Sequence, residues 1–385
     1  MKYRLLAPGP TPVPDRVLSV MSRSIYHHRT PAFERVFADC VSGLKWLMQT
    51  NHDVITLACS GTGAFEASFQ NFFSPGDTVI CIGVGKFGER WAQMARVFGI
   101  EAILIEAPWG EAVDVENVAS ALRQHPHCKG VVCVASETST GVRHPYEAIG
   151  KLIRGNDDCI FIVDGITSVG VWDMSPERDG IDVLITGSQK ALMLPPGLAF
   201  LAISDKAWRH QAKSTTPKYY FDLAKERKAQ ALNQTAYTPA VSLMTGLRES
   251  LAMMKEEGLK QIFSRHARMA KATREAVLAL RLKIFAKNPS DALTSIINPE
   301  GVSGNGIYAG LRDRANITIA GGQDQLKGKI FRVAHMGYFD ELDVFTLLCA
   351  LEVVLRQEGY VDFSPGASVA AASKTLGEGF LMHQY

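Results

Sequence analysis

Seven short apolar runs constrain this 385-residue chain more than any other feature of its sequence. They lie near 54–58, 79–82, 102–105, 130–134, 160–163, 182–186 and 198–203, and most are separated by stretches of helical periodicity. Runs such as GVVCVA at 130–135 and CIFIV at 159–163 have no polar face, so strands built from them must be covered on both sides. The pattern predicts an α/β fold: a large domain with a mainly parallel seven-stranded sheet, then a smaller α+β C-terminal domain. Open sheets of this kind bind ligands where their strands end. The residues that close each run are therefore the ones to read for chemistry.

The run Val183-Leu184-Ile185-Thr186 passes through Gly187-Ser188-Gln189 and delivers Lys190 into apolar surroundings, Ala191 to Leu194. Desolvation lowers a lysine pKa, and a neutral amine attacks an aldehyde to give a Schiff base. Taken alone, Lys190 reads more readily as one more solvated surface lysine. The preceding run, however, ends in Asp164 just before Gly165, and a carboxylate at the end of a buried strand needs a partner. Pyridoxal 5'-phosphate supplies one, because its ring nitrogen is kept protonated by an acid while a lysine holds its aldehyde. Farther on, Arg332 in FRVAHMG offers a planar fork to a carboxylate, the alternative being a surface ion pair.

Two glycine-rich turns come after strands. Ser60-Gly61-Thr62-Gly63 precedes a helix whose first N–H groups suit a phosphate, unless the turn is an ordinary one. Gly83-Val84-Gly85-Lys86-Phe87-Gly88 is a literal G-x-G-x-x-G between a strand and a helix, with Glu106 at the end of the next strand. Such a fingerprint reads as dinucleotide binding and hence as an NAD-dependent dehydrogenase. Against that reading, the unit is not the first βαβ of the chain.

The order strand–Asp164, strand–Lys190, with 26 residues between them, resembles the class V (subgroup IV) aminotransferases of fold type I. Within these it is similar to the alanine–glyoxylate, serine–glyoxylate and serine–pyruvate aminotransferases. The likeness runs from Pro8-Gly9-Pro10-Thr11-Pro12 through Glu137-Thr138-Ser139-Thr140-Gly141 to the segment around Arg332. It implies ping-pong transamination between a small amino acid, alanine or serine, and a 2-oxo acid, glyoxylate or pyruvate. It implies Lys190 and Asp164 as catalytic residues on the cofactor. Gly61, Thr62, Gly63, Phe87 (stacked on the ring), Thr138, Gln189 and Thr238 would be the further cofactor contacts, and Gly9 and Arg332 the substrate contacts. It also implies a homodimer in which Thr238 reaches the neighbouring subunit's phosphate. By its own sequence Thr238 reads instead as the cap of a helix that begins at Pro239. One departure stands out: where some relatives have a tyrosine three residues before the Thr-Pro pair, this chain has Thr235, and its tyrosine is Tyr237. Other class V chemistry (aspartate or phosphonate transamination, lyase reactions) and a catalytically silent subunit of a larger complex share the scaffold.

A net charge of +2 gives no electrostatic footprint for nucleic acid or membrane. No stretch is long and apolar enough to span a bilayer, and seven scattered cysteines fit reduced thiols, so a cytoplasmic protein is expected. His125-Pro126-His127-Cys128 lacks a second ligand pair, and no metal site is expected. The chain divides into an N-terminal arm (1–20), a large cofactor domain (21–250), a small domain (251–363) and a tail (364–385). Within the small domain, 293–298, 307–311, 317–320 and 329–334 read as strands, and 341–356 reads as a covering helix.

Overall fold

The computed structural model describes residues 2–303 and 305–377. Each of the seven apolar runs forms a strand: Asp53–Leu57 (β1), Thr78–Ile82 (β2), Glu101–Ile105 (β3), Gly130–Val134 (β4), Ile160–Asp164 (β5), Val183–Gly187 (β6) and Ala199–Ile203 (β7). They join in the order β1-β7-β6-β5-β4-β2-β3. All pairs are parallel except those of β7, which runs antiparallel to both its neighbours. Alternate residues of one strand enter different cores: Ile80 and Ile82 point into one, Val79 and Cys81 into the other. That is why these runs carry no polar face. Two helices start where strands of this sheet end, Gly61–Phe72 (α1) after β1 and Lys86–Val97 (α2) after β2.

Beyond the sheet, Val241–Glu257 (α3) and Leu259–Ala279 (α4) lead into a smaller sheet made of Lys283–Ile284 (β8), Leu293–Ile297 (β9), Ala320–Gly321 (β10) and Ile330–Ala334 (β11), ordered β8-β9-β11-β10. The join expected at 250/251 falls inside α3. The change of core happens along α4 instead, where Ile262 packs with the large sheet and Met269 with the small one. Residues 307–311, expected as a strand, lie in the helix Gly306–Ala315 (α5), which buries Ile307, Gly310 and Leu311 on one face and ends at Asn316 in the left-handed conformation, φ 56°. Helix Glu341–Gln357 (α6) covers the small sheet's core. The expected tail also contains structure. Ala367–Gly377 (α7) buries Ser368, Ala372 and Leu376, and its start is tied down by Glu352 of α6, which accepts from Gly366 N at 2.6 Å and Ser368 N at 2.9 Å. Residues 378–385 of that tail lie outside the described residues.

The N-terminal arm laces the two sheets together. Arg4–Leu5 pairs parallel with Ile317–Thr318, and Leu6 O accepts from Ala334 N at 2.9 Å. A few residues on, Thr11 N donates to Gln189 O (3.1 Å) and Thr11 Oγ1 to Lys190 O (2.7 Å). Among the described residues no helix is long and apolar enough to cross a membrane, and all seven cysteines are free.

Candidate active site

The carboxyl ends of the parallel strands converge on a cavity of about 120 Å³. Strand β1 sends Ser60, Gly61 and Thr62 to its wall, and β2 sends Phe87 and Arg90. From β4 come Ser136 and Thr138, from β5 Asp164, Ile166 and Thr167, and from β6 Gln189 and Lys190. This is where the fold alone would put a ligand.

Lys190 Nζ donates to Pro8 O of the arm at 2.6 Å. Burial lowers its pKa to about 8, Arg332 adding to the effect and Asp164 opposing it. Gly9 is required here twice over: its φ is +140°, and a Cβ on it would lie 2.0 Å from Lys190 Nζ. At the end of β5, Asp164 is 4 % exposed and Oδ1 accepts from Ile166 N at 2.9 Å. Burial pushes its pKa up to about 7, and Glu137 pushes in the same direction. Arg332, on β11, is 4 % exposed. It donates through Nη1 to Thr138 O (2.6 Å) and through Nε and Nη2 to Gly321 O (3.0 and 2.8 Å), so its hydrogen bonds end on neutral carbonyls and burial lowers its pKa to about 10. A buried guanidinium without a carboxylate partner is an electrostatic demand that an anionic ligand satisfies.

The two glycine-rich turns diverge. At Ser60–Gly63 no side chain caps α1, leaving the first amides to face the cavity. Gly63 itself does not: its amide donates to Ser60 O at 2.9 Å, and a Cβ there would press on Cys59 and Phe221, so its role is packing. At Gly83–Gly88 the helix start is already filled by a buried carboxylate of the protein. Glu137 Oε2 accepts from Phe87 N (3.1 Å) and Gly88 N (3.0 Å), while Oε1 accepts from Ser139 N (2.9 Å). Gly85, φ +119°, admits the Glu137 side chain, whose Cγ a Cβ would meet at 2.4 Å; at Gly88 a Cβ would lie 2.4 Å from Ile82 O. The fingerprint glycines thus serve a carboxylate and a tight helix–strand contact. The amides that a dinucleotide pyrophosphate would need are occupied, and the dehydrogenase reading is withdrawn on that ground.

The family model "Aminotransferase class-V" matches residues 5–335. The chain belongs to the class V aminotransferases. A serine–glyoxylate aminotransferase of Methylorubrum extorquens is 35% identical over 98% of this chain and 96% of its own length. A protein of Synechococcus sp. named as the small subunit of a soluble hydrogenase is 43% identical over 97% of this chain and 98% of that one. Among solved structures, a ureidoglycine–glyoxylate aminotransferase from Bacillus subtilis superposes with a TM-score of 0.93 at 28% identity, covering 98% of each chain.

Class V aminotransferases depend on pyridoxal phosphate, and the cavity's groups fit it: an acid for a ring nitrogen, an amine for an aldehyde, an aromatic ring for a ring face, and a helix N-terminus for a phosphate. Gln189 Oε1 is moreover buried in this wall without a partner, a polar atom that a bound ligand can satisfy. Among the described residues no group of three or more His, Cys, Asp or Glu side chains is placed to hold a metal ion. Thr238 does not reach the cavity of its own chain. It lines a separate small hollow with Thr56, Tyr220 and Tyr237, and it does not cap α3, which begins at Val241 with Ala240 as its uncapped N-cap residue. Thr235 Oγ1 donates to Tyr237 O at 2.6 Å and turns the chain just before that helix.

Sequence reasoning missed four participants. Glu137 stands between a strand and a hydroxyl cluster, and a lone acid directly after an all-apolar strand is itself a signal of burial. Arg90 sits three residues after Phe87, on the same face of α2. Thr167, whose Oγ1 lies 3.1 Å from Thr138 Oγ1, and the carbonyl of Pro8 complete the set.

Proposed function

We propose that this protein catalyses ping-pong transamination between a small neutral amino acid, alanine or serine, and a 2-oxo acid, glyoxylate or pyruvate. The observation that carries the reading is a lysine amine and a buried acid on the wall of one cavity, with a buried arginine that lacks a carboxylate partner, Arg332, anchored just behind that wall on Thr138 O. Bound pyridoxal phosphate supplies an aldehyde that takes up the amino group and a ring that draws in the electron pair released at Cα. Lys190 Nζ would hold that aldehyde in the absence of a donor. The freed amine, whose pKa burial lowers to about 8 in the cofactor-free protein, would be the group that carries the proton at the donor's Cα. Asp164 would keep the ring nitrogen protonated, Ser60, Gly61, Thr62 and Gln189 would hold the phosphate, Phe87 would cover the ring and Thr138 would bond its oxygen.

Arg332 grips the substrate carboxylate with donors its carbonyl anchors leave over, next to Gly9. The arginine of the wall itself, Arg90, is held on Thr62 Oγ1 at 3.0 Å, on the phosphate side. Among the described residues of the wall no second fork is thus presented to a distal carboxylate, which supports neutral donors over dicarboxylic ones. We further propose an obligate homodimer, with Thr238 of the partner subunit completing the phosphate cup, because in its own chain Thr238 neither caps a helix nor lines the cavity. A cytoplasmic setting belongs to the same proposal, as seven unbridged thiols suit a reducing compartment.

The test is turnover of alanine and of serine with glyoxylate and with pyruvate by the cofactor-loaded protein. Lys190→Ala is expected to lower it by roughly 10²–10⁴-fold with the fold intact. Turnover of the variant within tenfold of wild type overturns the assignment, and so does a wild type inert with every pair. The latter result would favour a catalytically silent subunit of a larger complex; the Synechococcus relative is itself named as a small subunit.

A further inference from the structure

We propose that Arg90 is the cation that neutralises the cofactor's phosphate. The inference rests on the reading that pyridoxal phosphate occupies the cavity around Lys190. A phosphate monoester carries about −1.5 to −2 charges at neutral pH. The uncapped start of α1 contributes only the half-charge of a helix terminus, so a cationic side chain is needed to complete the cup.

Among the described residues, two cationic side chains line the cavity, Lys190 and Arg90. Lys190 is directed at Pro8 O and is required at the aldehyde. Arg332 is anchored away from the Ser60–Thr62 turn, on Gly321 O and Thr138 O. Arg90 is on the phosphate side, with Nη1 donating to Thr62 Oγ1 at 3.0 Å. That contact uses one of five guanidinium N–H donors and leaves a planar fork of the kind that matches phosphate oxygens. The guanidinium carbon also sits 4.9 Å from the Phe87 ring centroid, a cation–π contact that holds the head group beside that ring. One turn of α2 would thereby supply both the ring's cover and the phosphate's counter-charge. The Glu137 carboxylate that holds the Phe87 and Gly88 amides sets the position of both.

The experiment compares pyridoxal phosphate with pyridoxal, which has the same ring and aldehyde but no phosphate. Equilibrium binding of each to the cofactor-free wild type, Arg90→Gln and Arg90→Lys is followed by the visible absorbance of the bound aldehyde. Arg90→Gln is expected to weaken pyridoxal phosphate about 10- to 100-fold, the scale of a lost charged hydrogen bond, while pyridoxal changes less than about threefold and Arg90→Lys recovers part of the loss. Inorganic phosphate should raise the melting temperature of the cofactor-free wild type and not that of Arg90→Gln. Equal losses for both ligands, or none, overturn the role. A KM increase confined to dicarboxylic donors, with cofactor affinity intact, also overturns it and assigns Arg90 to substrate. If wild type shows no Lys190-dependent absorbance with either ligand, the cavity reading itself has failed. Wild-type binding that Arg90→Gln leaves unchanged defeats only the Arg90 inference.

Discussion

Two strand-to-helix turns of this molecule look alike in sequence and do opposite things. The Ser60–Gly63 turn leaves the start of α1 open toward the cavity, whereas the Gly83–Gly88 turn is plugged by Glu137, a residue some fifty positions away in the chain. The same contrast separates two buried carboxylates. Glu137 is saturated by N–H donors from Phe87, Gly88 and Ser139, while Asp164 accepts from Ile166 N and is left poised for a cation. A glycine-rich turn says where backbone can approach an anion. Which anion arrives is decided by residues distant in sequence.

The contrast breaks most visibly at Glu137. Removing its carboxylate as Glu137→Ala leaves the Phe87, Gly88 and Ser139 amides without acceptors, each worth about 1–3 kcal/mol. Because burial holds the Glu137 carboxyl above the ordinary range and its removal relieves that penalty, urea unfolding should show a loss in the lower part of the sum, roughly 3–6 kcal/mol. A loss under about 1 kcal/mol would mean that the plug is incidental.

Asp164 should respond in the opposite direction. Its folded pKa, about 7, lies above the ordinary 3.8, so its contribution to stability is complete below pH 3.8 and disappears as pH rises through 7. Asp164→Asn carries no such penalty. The cofactor-free variant should be more stable than wild type at pH 8, by up to about 4 kcal/mol, with the advantage shrinking as pH falls toward 4. A cofactor-free wild type as stable as the variant at pH 8 would show that Asp164 is not held against its preference.

Glycine substitutions sharpen the comparison between the turns. In Gly88→Ala the new methyl would lie 2.4 Å from the backbone oxygen of Ile82, which cannot move aside, and about 1–3 kcal/mol of stability should be lost without a change in cofactor affinity. In Gly61→Ala the methyl meets only the tip of Ile166, at 2.0 Å. Stability should fall by less than about 1 kcal/mol, yet Ile166 is pushed within the cavity wall and cofactor affinity should drop about tenfold. If both variants shift stability and affinity alike, the turns do not differ in the way described.

The large sheet was legible because a strand buried on both faces leaves a continuous apolar run, and Asp164 and Lys190 stood out as polar residues ending such runs. Helix α5 was not, since Ile307, Tyr308 and Leu311 suit a short strand as well as one helical turn; Asn316 was the overlooked stop signal. Helix α7 escaped because Ser368 and Ala372 are small, although with Leu376 they repeat every four residues. The partnership of Glu137 with α2 is a tertiary contact, and no local pattern announces it. Arg90 was invisible for a related reason: an arginine three positions after an aromatic is ordinary on any helix, and only the cavity wall distinguishes it.

The arm that binds Lys190 is synthesised long before the last of its anchors. Leu6 O waits for Ala334 N, which emerges more than 300 residues later, on the order of half a minute at ribosomal speed. Until then the arm is held over the lysine only by the contacts of Pro8 and Thr11 with Gln189 and Lys190, and its outer end stays unpinned after the seven-strand sheet has emerged. The order of translation thus leaves one side of the cavity's cover unpinned until the small sheet is complete.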